Sequence, residues 1–223
     1  MQVAPQTNTL IRSLCSVAAL LLCLPVVGAV GETSAPDPGA AIDGMADAVV
    51  QRLATDREHL ETDRDALDAM IDELVRPTFE FRYASKLILG RHWKSTAPEQ
   101  RTEFAGAFYE YLVRVYGHAM LHVDEETLTV LSWEPGLDGD RAKVRTRLVM
   151  ADGAEVKVDF RMSLVNDEWR VWDVVADGVS YVRIYRAEFG TVIANDGMEE
   201  LITFLKSPKT ATRSASAAGD WTP

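Results

Sequence analysis

Two periodicities divide the chain. Apolar residues first recur every three or four positions, as Ile42, Met45, Val49, Val50 and Leu53, then as Leu67, Met70, Ile71, Leu74 and Val75. That spacing lines one face of a helix. Pro77 ends the second run, because it lacks an amide proton and clashes with the preceding turn. A third segment, Phe79 to Leu89, closes at Gly90, a residue suited to a helix C-terminal cap. Thr96-Ala97-Pro98-Glu99 reads as a capping box with proline in the first turn. It opens a helix carrying Phe104, Phe108, Tyr111, Leu112, Val115, Tyr116 and Ala119. Drawn from Ala97 to Leu121, that helix would be roughly 36 Å long, at about 1.5 Å per residue.

Beyond it the period becomes two. Ala142, Val144, Thr146, Leu148 and Met150 alternate with Lys143, Arg145 and Arg147; after Asp152-Gly153, Val156, Val158, Phe160, Met162 and Leu164 alternate with charged residues. This predicts an antiparallel hairpin with one apolar and one charged face. A shorter strand, Leu128 to Trp133, precedes it, and Glu168 to Ala176 follows the Asn166-Asp167 turn. Gly178 ends the sheet in this reading, Ser180 caps a helix through Ala194, and a short helix spans Met198 to Leu205. Helices, a four-strand meander, then helices make an α+β domain whose sheet has one wet face.

The ends of the chain differ from this middle. Leu14 to Val30 is an almost unbroken apolar run with Arg12 before it and Val27-Gly28-Ala29 at its end, the plan of a signal peptide over residues 1–29 cleaved after Ala29, or alternatively after Ala35. As a membrane anchor the run is short and interrupted by Pro25. A lipoprotein anchor at Cys23 wants a small residue where Leu22 stands. Residues 30–39 read as a flexible lead-in, 40–205 as the folded domain and 206–223 as a disordered tail.

Export changes the chemistry available. Cys15 and Cys23 lie in the leader, so the mature chain has no thiol, disulfide or thiolate metal site. Loss of Arg12 takes the net charge from −11 to about −12. Nucleic acid, which demands clustered surplus cations, is an improbable partner, and attachment to an anionic bilayer is disfavoured. The mature protein is read as soluble and exported.

No nucleophile elbow, phosphate-binding glycine loop, HExxH or calcium loop is present. His118 and His122 have the i, i+4 spacing of zinc ligands, with Asp124, Glu125 and Glu126 nearby, but fit a polar helix end better. Asp173 sits in an apolar strand, where a carboxylate must find partners. A pocket with Asp as base and Tyr as donor would make a small-molecule enzyme of the ketosteroid isomerase kind. The simpler reading pairs Asp173 with Arg161 or Arg170 across the sheet.

Two ordered blocks carry a resemblance. Phe81-Arg82-Tyr83-Ala84-Ser85-Lys86-Leu87-Ile88-Leu89-Gly90-Arg91-His92-Trp93-Lys94 leads into Ala97-Pro98-Glu99-Gln100-Arg101 and Phe108-Tyr109-Glu110-Tyr111-Leu112. Trp172-Asp173-Val174-Val175-Ala176-Asp177-Gly178-Val179-Ser180 precedes Tyr185-Arg186 and Phe189-Gly190. The chain resembles the MlaC/toluene-tolerance family of periplasmic phospholipid-binding proteins over about Ala40 to Leu205. Ile184 stands where many members have a polar residue, and His118 and His122 match no family motif.

The resemblance implies a nuclear-transport-factor-two-like fold, a curved antiparallel four-stranded sheet against N-terminal and C-terminal helices enclosing an apolar cavity. It implies a periplasmic phospholipid carrier that maintains outer-membrane lipid asymmetry, with no enzyme activity and no cofactor beyond lipid as cargo. Implied partners are an inner-membrane ABC transporter complex with an MCE-type substrate-binding subunit and an outer-membrane lipoprotein/porin complex. The expected cavity wall is Val144, Leu148, Phe160 and Met162 of the hairpin, Val174 and Val179 at the last strand and its exit, and Phe108, Leu112 and Tyr116 of the long helix. Tyr83, Leu87 and Tyr181 are its expected rim. The enzyme using Asp173 and a ligand-free adaptor are the competing readings.

Overall fold

The computed structural model describes residues 36–122, 127–150 and 152–207. The proposed leader and most of the proposed tail lie outside these residues. No helix of the described residues is long and apolar enough to cross a membrane.

Helix α1 (Pro38–Thr62) starts inside the expected lead-in. Asp37 is the reason: its side chain accepts the Gly39 amide at 2.8 Å while Pro38 supplies a preset first turn. The helix kinks at Asp56, where the backbone leaves helical geometry, and stops at Asp63. Asp63 then accepts the amides of Asp65 and Ala66 and so starts α2 (Arg64–Leu74). A single 3-10 turn through Pro77 follows, and Glu80 caps α3 (Phe81–Leu89) by accepting from the Tyr83 amide.

Helix α4 (Pro98–Tyr116) departs from the expectation at both ends. Its N-cap is Ala97, and Thr96 donates its hydroxyl to the His92 carbonyl, closing the turn before the helix. At its other end the α-helix gives way at Gly117 to a 3-10 turn reaching His122, leaving a helix of about 28 Å. Cations from α1 and α2 meet this end. Arg64 donates to the Val113 carbonyl at 2.9 Å, which also accepts the Gly117 amide, and Arg57 donates to the Leu121 carbonyl at 2.7 Å, so two cations sit at the negative, carbonyl end of the helix.

The sheet is an antiparallel meander, β1 (Thr127–Pro135), β2 (Arg141–Val149), β3 (Glu155–Val165), β4 (Glu168–Ala176) and β5 (Val179–Ser180), in that order. The fifth strand corrects the expected count of four. Asp177 and Gly178 both have positive φ and form a tight hairpin, so Gly178 turns the chain back onto β4. Register shifts at Val130/Ser132 and Arg161/Met162 mark bulges, which bend and twist strands. On the charged face Glu134 pairs with Lys143 and Arg145 at 3.2 and 2.8 Å. Helices α5 (Tyr181–Asp196) and α6 (Met198–Lys206) complete the domain, α5 capped by Ser180, as expected.

The buried apolar residues form three clusters. One joins the sheet to Ile42 of α1; one joins α3, α4, α5 and α6; the third joins α1, α2 and the C-terminal part of α4. Helix α4 packs chiefly on α6 and α3.

Candidate functional site

The apolar side of the sheet is closed more tightly at one end than at the other. Cross-strand pairs Ala142↔Met162 and Val144↔Phe160 stack in register, and Val144, Met162 and Val171 are wholly buried beside Ile42. Leu128, Leu148, Met150 and Val174 belong to the same cluster but stay half-buried. Phe160 is buried opposite Val174.

The helical cluster is built from rings. Phe108 lies 5.0 Å from Tyr185 and 5.8 Å from Phe189, edge to face, which is the favoured aromatic geometry. Its half-covered residues include Leu87 of α3, Leu112 and Val115 of α4 and Tyr181 of α5, with others along α5 and α6. Tyr116 is half-buried next to them, its hydroxyl 3.1 Å from that of Tyr185. Burial raises the pKa of Tyr116, Tyr181 and Tyr185, Tyr185 the furthest, so these phenols stay neutral across the physiological range. They offer ring surface and neutral hydroxyls.

The expected site residues therefore separate into groups. Leu148, Val174, Leu87, Leu112, Tyr116 and Tyr181 lie at half-covered margins, where a further apolar molecule could still gain contact. Val144, Met162, Phe160 and Phe108 are core, because their own clusters already enclose them. Val179 is 53% exposed; it pairs with Ala176 at the tip of the short β5, with no further strand to cover it. Tyr83 is not at the tyrosine margin. It stacks edge to face on Trp172 at 5.6 Å and accepts a hydrogen bond from Arg141 at 3.0 Å.

Asp173 is a structural anchor. It is 3% exposed, and its two oxygens accept from Ser180 Oγ at 2.7 Å, the Val182 amide at 3.0 Å and Arg161 at 2.9 Å. Arg161 is its cross-strand partner, one of the two expected; Arg170 instead pairs with Glu168. With its strongest acceptor sites taken, Asp173 joins β4 to the first turn of α5. This sets where Tyr181 and Tyr185 project.

His118 and His122 are exposed in the 3-10 turn, ring centroids 6.1 Å apart. Asp124, Glu125 and Glu126 lie outside the described residues, and among the described residues no group of three metal-ligating side chains occurs.

Sequence reasoning missed Tyr185 as a site residue, although Tyr181, Tyr185 and Phe189 form an i, i+4, i+8 stripe that was there to read. It also missed Trp172, which the bulge opposite Arg161/Met162 leaves without a register partner. A bulge has no signature in alternation alone.

Known proteins share this architecture. A phospholipid-binding protein from Ralstonia solanacearum, solved in complex with a phospholipid, superposes with a TM-score of 0.71 at 23% identity, covering 81% of this chain and 99% of that one. The likeness shows a common fold. The intermembrane phospholipid transport system binding protein MlaC of Haemophilus influenzae is 25% identical over 178 residues, 78% of this chain and 82% of the relative. The toluene tolerance protein Ttg2D of Pseudomonas putida is 23% identical over 181 residues, 80% and 81% of the two chains. The family model described as MlaC protein matches residues 43–207, nearly the whole folded domain, and the chain belongs to that family.

Proposed function

We propose that this protein is a periplasmic phospholipid carrier that moves lipid between an outer-membrane lipoprotein/porin complex and an inner-membrane ABC transporter with an MCE-type subunit. The observation that carries the reading is the division of the apolar interior. The sheet cluster and the α3–α6 cluster each keep a half-covered apolar margin, Leu128, Leu148, Met150 and Val174 on one and Leu87, Leu112, Val115 and Tyr181 on the other. Acyl tails lying between these margins would complete both. Membership of the MlaC family, and relatives named for phospholipid transport and toluene tolerance, support the same reading.

The energetics suit a carrier. Half a bilayer core is about 15 Å thick, so tails of that reach fit a domain with strands twice as long. Roughly 30 tail methylenes at about 0.8 kcal/mol each make transfer into water unfavourable by more than about 20 kcal/mol. A bilayer offers the tails the same relief as the protein. Exchange is then near balance, and its direction is set by the membrane complexes.

The work asks for no bond to be broken, and we assign no catalytic residue. Asp173, the base of the competing enzyme reading, is committed to three donors. Export after cleavage at Ala29 places the carrier in the periplasm. The test is recovery of protein from cells without detergent, organic extraction and mass spectrometry. One phospholipid per chain is expected, and repeated isolation of lipid-free protein would defeat the proposal.

A further inference from the structure

Arginine in this chain is commonly matched with acid. Arg52, Arg64, Arg145, Arg147, Arg161 and Arg170 each lie within 3.4 Å of a carboxylate oxygen. Arg91, Arg183 and Arg186 make no such pair among the described residues. They meet instead on a groove of about 510 Å³ along α5, and none of its lining residues is acidic. Small residues, Ala187, Gly190 and Ala194, leave its floor low. A second recess of about 320 Å³ shares Arg91, Arg186 and Gly190 with the groove and adds His92.

Two features mark the recess out. Gly90 has φ +52°, and a Cβ there would lie 2.7 Å from Nε and Nη2 of Arg186, so the missing side chain is what lets the guanidinium rest on the backbone. His92, on the wall of the recess, has its Nε2 buried with no hydrogen-bond partner. A buried polar atom without a partner marks a place where a ligand atom can supply one.

We infer that this recess binds a phosphate-class oxyanion, held by Arg91 and Arg186 beside His92, with Arg183 at the outer end of the groove. The guanidinium fork matches two phosphate oxygens at once, and a tetrahedral anion presents further oxygens to the remaining donors. The anion has two possible sources, a free phosphate compound or the headgroup of the lipid cargo, and only the second rests on the carrier reading.

The test is an NMR titration of arginine side-chain N–H signals in the full mature protein with inorganic phosphate and with glycerol 3-phosphate. Alongside it, phosphorus NMR follows lipid-loaded protein. Variant R91Q/R186Q is compared with R145Q, whose arginine pairs with Glu134 outside the groove. Saturable shifts are expected, weakened at least about tenfold in R91Q/R186Q and unchanged in R145Q. Phosphate binding to loaded and empty protein alike identifies a free anion. A cargo phosphorus signal that moves in R91Q/R186Q, with phosphate excluded from loaded protein, identifies the headgroup.

The inference is overturned if neither anion gives a saturable shift and the cargo signal ignores the substitutions, or if binding survives in R91Q/R186Q. It is equally overturned if a hexaglutamate peptide binds the groove and phosphate does not. Lipid content by extraction separates this outcome from the carrier proposal, since a lipid-loaded protein with unresponsive arginines removes the anion site alone. Circular dichroism checks that each variant folds, and R186K, which keeps the charge but loses the fork, gives an intermediate loss.

Discussion

Replacing Asp173 tests the anchor between sheet and helix. In Asp173→Ala two buried donors, the Ser180 hydroxyl and the Val182 amide, lose their acceptor. A buried donor without a partner costs about 1–3 kcal/mol, so the pair contributes roughly 2–6 kcal/mol. The Arg161 side chain is 40% exposed, so its ion pair is screened by water and adds no more than about 1 kcal/mol. For a domain of this size each kcal/mol is worth about 2–4 °C, so the melting temperature should fall by roughly 4–28 °C. Asp173→Asn keeps one carbonyl oxygen for the Val182 amide and should lose about half as much. Ser180→Ala and Asp173→Ala share one hydrogen bond, so the double variant should lose less than the sum of the singles. Calorimetry on all four proteins decides the matter. A fall of less than about 2 °C in Asp173→Ala, or identical losses for Asn and Ala, would refute the anchoring argument. Variants that fold should keep their lipid, because the carboxylate acts through α5.

Other substitutions separate core from margin. Met162→Ala, at a wholly buried position, should cost about 2–5 kcal/mol in urea unfolding, whereas Leu148→Glu, at a half-covered margin, should chiefly reduce extracted lipid while the fold survives. Gly90→Ala forces a Cβ into positive φ and against Arg186, and should lose about 1–3 kcal/mol; Gly106→Ala, in open space on α4, should gain about 0.5–1 kcal/mol. The tyrosines set an alkaline limit. Tyr116, Tyr181 and Tyr185 titrate higher folded than unfolded, so their contribution is complete below the unfolded value of about 10 and is lost as pH climbs beyond it toward the folded values. Their tyrosinate absorbance should therefore emerge with unfolding, and early emergence in the native state would contradict their burial.

Periodicity was enough to place most helices and the four long strands, because each buries one face. It failed where a distant residue decides the outcome. The carbonyls at and beyond the end of α4 are contacted by Arg64 and Arg57, which lie some fifty or more positions earlier in the chain. The β5 strand is two residues long, too short to alternate, although Asp177-Gly178 was a legible hairpin signal. The site was legible only as a set of apolar positions. Leu148 and Met162 point to the same side of the hairpin and look alike in sequence; one lies at a margin and the other in the core because Ile42 of α1 joins one end of the sheet. Arg183 and Arg186 could be read as one polar stripe of α5, but the opposite wall, Arg91 and His92, comes from a turn about ninety residues away.

The two borders of the sheet limit how another protein can take hold of it. Along β4 the outward hydrogen-bonding groups are partly used already, by β5 at one end and by the Glu80 amide, which donates to the Val171 carbonyl, at the other. Along β1 the bulge at Leu131 breaks the spacing that an added strand would have to match, and Pro135 has no amide proton to offer. Neither border is an unbroken template for a visiting strand. Recognition of this carrier should therefore be written in its side chains, which substitutions can retune one position at a time while the sheet beneath stays the same.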